Sequence, residues 1–343
     1  MRRLLKVVAL LVVLAIAYLL AWPTDVAPVA WQPQLAPPVT LNRALADAEH
    51  LVPALPGPEA ITVDAQGRLV TGLADGRIVA FRPGAEPVTL AQTGGRPLGL
   101  KQDRDGSLVV ADAEQGLLRI DAAGKVTVLA ADQRFTDDVA IAADGTIYFS
   151  DASSHFGLGQ YKMAILEHGG DGRLLAWRPA TGKTEVVASG LDFANGVALA
   201  PDESYVLVTE TSSYRIRRVW LAGDKRGQSD VFADNLPAFP DNITWSPSRK
   251  VFWVGCGSPR VAVVDALAQY PFARKMVARL PSFLQPAPEK HQFVLGFDES
   301  GKLVHDLQDP DGGYRPIASA LEHDGWIYLG SFAARGIARV RAP

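Results

Sequence analysis

The chain has 343 residues, of which 48% are hydrophobic and 21% charged, with a net charge of −3. That balance excludes a disordered chain and a chain-wide basic field for nucleic acid. One cysteine, Cys256, excludes an internal disulfide and any Cys-rich zinc or iron–sulfur site.

Arg2, Arg3 and Lys6 precede a stretch without charge from Val7 to Thr24. With Leu4 and Leu5 it approaches the ~20 apolar residues that span a bilayer. Residues 1–22 are therefore expected to be a transmembrane signal anchor. The leading positive charges would keep the N-terminus cytoplasmic and send the rest across to the periplasmic or luminal side. A cleaved signal peptide is the alternative, but the small-residue site Ala15-Ile16-Ala17 falls inside the apolar run. Pro23, Pro28, Pro33, Pro37 and Pro38 follow. Residues 23–50 accordingly read as an extended proline-rich stalk and an edge segment, a spacer between membrane and domain.

From residue 51 to 343 one unit recurs: an apolar strand, a turn with Asp or Gly, then an alternating strand. It begins at Ile61, Gly99, Val139, Val197 and Ile243, and a sixth unit ends around Asp324-Gly325 and Trp326–Ser331. Six units of about 40 residues or more predict an all-β fold, a six-bladed β-propeller behind an N-terminal transmembrane helix. A pair of β-sandwiches is the rival, disfavoured by the even phasing. Insertions are expected near 153–170 and 266–292, the second with room for a short helix.

In a propeller the residues just before each innermost strand converge on the axis. Two positions before the first apolar residue of that strand stand Glu59, Asp137, Asn195 and Asp241, in four of the six units. Asn242 lies beside the last. Hard oxygen donors without His or Cys at this phase suit Ca²⁺, or another divalent cation, rather than Zn²⁺. The alternative is that these side chains cap strand ends and hold water in the channel.

Several motifs carry a resemblance. They are Gly-Arg-Pro-Leu-Gly-Leu at 95–100, Asp-Val-Ala-Ile-Ala with Asp-Gly at 138–145, Tyr-Phe-Ser-Asp-Ala-Ser-Ser at 148–154 and Phe-Ala-Asn-Gly-Val-Ala-Leu at 193–199. Asp-Asn-Leu-Pro with Phe-Pro-Asp-Asn-Ile follows at 234–243, and Glu-His-Asp-Gly with Tyr-Leu-Gly-Ser-Phe at 322–332. At these residues the chain resembles the calcium-dependent six-bladed propellers that include gluconolactonase, paraoxonase and strictosidine synthase. Within them it is most similar to the strictosidine synthase-like branch with the adipocyte plasma membrane-associated protein. The resemblance implies a metal held by Glu59, Asp137, Asn195 and Asp241, with Asn242 beside them. It also shows departures. Asp137 stands where the family usually has Asn. Ala318 lies about where strictosidine synthase has its Glu, and Leu98 about where paraoxonase has its His. Cys256 alone cannot form the disulfide of several relatives.

The activity implied is a membrane-anchored, calcium-dependent hydrolysis of a small-molecule ester or lactone, the axial metal polarising the carbonyl. Asp137 or Glu59 would act as base, and His155, in the first insertion, could touch substrate. No Gly-x-Ser-x-Gly elbow surrounds Ser153 or Ser154. The alternative function is a non-catalytic binding or scaffold propeller with a structural metal. A synthase-like condensation is disfavoured by Ala318. An open, apolar-walled cup over the metal favours the enzyme; a plugged channel favours the scaffold.

Overall fold

A short amphipathic strand leaves half its surface unburied, and four of them in one twisted sheet still leave both faces to cover. Radial stacking solves this. In the computed structural model, which describes residues 1–343, six four-stranded antiparallel sheets surround an axis. Their innermost strands are Ile61–Val63, Pro97–Gln102, Thr136–Ile141, Ala194–Leu199, Ala238–Ser246 and Ser319–His323. The strand Glu49–Pro56 is the outermost of the sixth blade and pairs with the last strand, Arg335–Arg341, with Glu49 opposite Arg339 and Leu51 opposite Ile337. First and last strands thus close the ring, which begins two residues before the expected boundary at 51.

The core lies between blades. Leu207 and Ile216 of the fourth blade pack with Ile243, Phe252 and Leu295 of the fifth. Each such fully buried side chain is worth about 1.5–3 kcal/mol.

Both expected insertions sit on the face where the inner strands begin. The first carries helix α2 (Tyr161–Glu167); the second carries α3 (Ala262–Ala266) and α4 (Pro271–Ala278). The hairpins at Asp144-Gly145 and at Asp298–Lys302 lie on the opposite face.

At the N-terminus α1 (Arg2–Ala21) buries none of its residues against the domain. It is long and apolar enough to cross a membrane. The proline-rich segment after it does not stand clear as a spacer. It lies along the propeller as a strap. Glu167 accepts the N–H of Ala27 (2.7 Å) through Oε2 and that of Val29 (2.9 Å) through its backbone carbonyl. Trp31 stacks on His168, and Asn42 Oδ1 accepts the N–H of Gln308. Val26 and Leu45 are buried. Proline forbids a helix here, but it leaves the neighbouring N–H groups and side chains free to bond across to the blades.

Candidate metal centre and its cavity

Four inner strands break register with their neighbours at the point where they meet the axis: between Pro97 and Leu100, Thr136 and Val139, Ala194 and Val197, and Pro240 and Ile243. Each break is a bulge that frees two residues from the ladder. The first of each pair, Leu98, Asp137, Asn195 or Asp241, lines a central cavity. The second packs against the next blade. At Gly99 a Cβ would lie 2.5 Å from the Cα of Asp138, and at Gly196 it would lie 2.5 Å from the nitrogen of Ile243, so both positions require glycine. Glu59 comes from the loop before the first blade, with its carbonyl held by the hydroxyl of Ser319 at 2.5 Å. Asp241's carbonyl accepts a hydrogen bond from Thr209 Oγ1 at 2.7 Å. The backbone of the site is thus fixed by neighbouring blades.

These constraints bring Glu59, Asp137 and Asp241 together, each offering a carboxylate oxygen within 4.8 Å of the others. All three are buried, as are Asn195 and Asn242. Glu59 Oε2, Asp137 Oδ1, Asn195 Oδ1, Asp241 Oδ1 and Asn242 Oδ1 have no hydrogen-bond partner. Buried oxygens are normally paired, and leaving one unpaired costs about 1–3 kcal/mol, more for a charge. Arg96 brings positive charge against this cluster, its guanidinium 3.5 Å from Glu59 Oε2. Burial pushes Glu59 up to about 7 against the pull of Arg96. Burial and the charge of Glu59 raise Asp137 and Asp241 well above the usual carboxylate range. Three crowded carboxylates with idle oxygens fit a hard divalent cation, and the absence of nitrogen and sulfur donors among them fits Ca²⁺ better than Zn²⁺.

The cavity above is about 340 Å³, and half of its lining residues are hydrophobic. Leu98, Phe135, Phe193, Phe239 and Phe332 form much of the wall, and α2 adds Tyr161, Lys162 and Ile165. It is a cup rather than a plugged channel. Sequence reasoning passed over Arg96, although it stands in the Gly-Arg-Pro-Leu-Gly-Leu motif. It also passed over Asp138, whose carboxylate bridges two blades. His155 is not brought to this site. Its side chain is 44% exposed outside the cavity lining, with Nδ1 3.1 Å from Glu167 Oε1. Ala318 is fully buried, and its carbonyl accepts the N–H of Asn242. Cys256 is buried and its thiol pushed up by burial, so it carries no nucleophile into the cup.

Two family models match the chain, "Strictosidine synthase-like, N-terminal" over residues 39–81 and "Strictosidine synthase" over residues 137–224. The adipocyte plasma membrane-associated protein of Rattus norvegicus is 36% identical over 330 residues, covering 87% of each chain. Among solved structures, a gluconolactonase of Xanthomonas campestris superposes with a TM-score of 0.61 at 18% identity, covering 93% of this chain and 98% of its own. A calcium-binding protein of Agrobacterium tumefaciens, regucalcin, gives 0.59 at 14% identity, covering 86% and 94%. These two likenesses support the six-bladed fold. At over a third identity along most of both chains, the sequence match carries more: this chain belongs to the strictosidine synthase-like family, with the adipocyte plasma membrane-associated proteins.

Proposed function

We propose that the protein is a membrane-anchored, calcium-dependent hydrolase of apolar esters or lactones. The observation that carries this reading is an open, largely apolar cup placed directly over the buried carboxylate cluster. Glu59, Asp137, Asn195, Asp241 and Asn242 would hold Ca²⁺, or another divalent cation. When bound, such a cation supplies Lewis-acid polarisation of a carbonyl. The aromatic wall of Phe135, Phe193, Phe239 and Phe332 binds the apolar part of the substrate and excludes bulk water. Glu59 or Asp137 would take the proton of an attacking water through a carboxylate oxygen that the cation leaves free. Arg96, 3.5 Å from Glu59 Oε2, offsets part of the negative charge of the cluster. His155 takes no part, because it lies outside the cup. A synthase-like condensation would need a carboxylate where Ala318 stands. That a gluconolactonase and the calcium-binding regucalcin share this fold supports the reaction class and the ion. The basic residues before α1 support an anchor with its N-terminus in the cytoplasm and the propeller outside.

Elemental analysis of the purified protein, joined to a panel of aryl esters and lactones with and without chelator, tests the reading. Calcium-dependent turnover abolished by Asn195→Ala is expected. Retained calcium with no turnover on any member of the panel would leave a binding propeller with a structural metal.

A further inference from the structure

The second insertion ties the cup to the anchor. Arg279, just after α4, donates from Nε to the carbonyl of Trp22 (2.6 Å) and from Nη1 to that of Leu19 (2.6 Å). Tyr18 returns a hydrogen bond to the carbonyl of Arg279 at 3.0 Å. The last turn of α1 is therefore fixed to the face of the propeller that carries the cup. Helix α4 is itself anchored inward, since buried Arg274 donates to the carbonyls of Leu166 and Val29.

The outer side of this insertion is apolar. Phe272, roughly 200° around α4 from Arg274 at 3.6 residues per turn, is 58% exposed, and Tyr270 before it is 62% exposed. Phe283 is 82% exposed and Leu284 57%. The next residues, Gln285 to Pro288, line the cup. Phe283 is four positions beyond Arg279, so their Cα atoms lie within about 14 Å of one another. A 20-residue helix such as α1 spans about 30 Å, the thickness of the hydrocarbon core. Its last turn then emerges in the polar interface, a layer roughly 5–8 Å deep. Trp22, 58% exposed at that end, and Tyr18 are the aromatic residues that favour this depth. Phe283 is thus held within reach of the level at which α1 leaves the hydrocarbon core.

We propose that the cup-bearing face lies on the bilayer that α1 spans, with Phe283 and Leu284 inserted into it, so that the cup draws an apolar ester from the membrane phase. The ester rests on the hydrolase reading above; the docking rests on the contacts between α1 and Arg279 alone. The occupant of this surface is the lipid itself, because Arg279, four positions before Phe283, holds the end of the membrane helix. Exposed Phe and Leu side chains of this size on a single insertion otherwise have no covering group.

The test uses the full chain in phosphatidylcholine vesicles containing a nitroxide-labelled lipid. An environment-sensitive fluorophore is placed on Phe283→Cys, on Leu284→Cys and, as a control on the opposite face, on Glu299→Cys; buried Cys256 stays unlabelled. Lipid-borne quenching and a blue shift at 283 and 284, with neither at 299, are expected. Labels at 283 and 284 that stay unquenched overturn the docking, and a blue shift without quenching overturns it too, by assigning the patch to a protein partner or a second copy. In the same vesicles, Phe283→Ser with Leu284→Ser should lower kcat/KM several-fold for a long-chain ester dissolved in the bilayer and leave a short-chain soluble ester unchanged. Quenching without hydrolysis of either ester refutes the hydrolase and leaves the docking standing; hydrolysis without quenching does the reverse.

Discussion

The backbone N–H of Val197 donates to Asp138 Oδ2 at 2.9 Å, while Asp138 Oδ1 accepts the N–H of Val139 at 2.8 Å. One buried carboxylate therefore joins the third blade to the fourth; it stands next to Asp137, and its partner Val197 is two residues from Asn195. The same bulge that aims Asp137 at the axis turns Asp138 into the seam.

Replacing Asp138 with Ala should strand two buried N–H donors and loosen the third and fourth blades together. Hydrogen bonds to a buried charge and the penalty for orphaned donors put the loss at about 2–4 kcal/mol. Urea unfolding should show it, with calcium affinity falling as well, because Asp137 and Asn195 lose their fixed spacing. Unchanged stability would show that the seam is held by packing alone.

Asp137→Asn should act in opposite directions in two states. It removes one of three crowded carboxylates, so the chelated protein should gain stability. The same change weakens calcium binding by removing a charged ligand. A cation at 100 times its Kd adds about 2.7 kcal/mol, so excess calcium should raise Tm in the parent protein more than in the variant. Thermal melts in chelator and in excess calcium check both signs.

The metal-free protein should lose stability as pH rises. Glu59 goes from 4.5 to about 7 on folding, with burial the main cause. A folded state that holds its proton more tightly than the unfolded chain is favoured at low pH. The contribution is complete below about 4.5 and lost as pH climbs through about 7, on the order of 3 kcal/mol. Asp137 and Asp241 are raised as well and add to the trend. Chelated protein unfolded in urea at pH 5 and pH 8 should be weaker at pH 8. Calcium should reverse the order, since protons compete for the same oxygens.

Arg274→Ala should release the strap. The guanidinium is buried and its two bonds go to Leu166 and Val29, so its loss orphans two carbonyls and leaves a void under α4. Faster proteolysis between residues 23 and 45 is expected, with a stability cost of about 2–4 kcal/mol. Cleavage at the parent rate would assign the strap's position to Trp31 and Glu167 instead.

The number of blades was legible because each strand pair carries its own period and turn: Ile147–Asp151 follows Asp144-Gly145 as Trp326–Gly330 follows Asp324-Gly325. The convergence of Glu59, Asp137, Asn195 and Asp241 followed from phase alone, since radial repetition maps one position in each unit onto one circle. What failed to show was anything that depends on chain packing back over the ring. The strap looked like a free stalk because proline density reports backbone conformation and says nothing of what the segment touches. His155 looked like a rim residue because an insertion's position in sequence does not fix which of its side chains face inward.

Local patterning alone was enough for the apolar N-terminal run, and repetition at a fixed period for the blade count and the ring of oxygen donors. It took the folded chain to bring Arg96 against Glu59, to set Asp138 in a seam while its neighbour faces the cup, and to seat the end of α1 against Arg279 beside that cup. Those are contacts between residues from about 40 to about 260 positions apart. Their geometry depends on how bulges and insertions close over the axis, which no local period encodes.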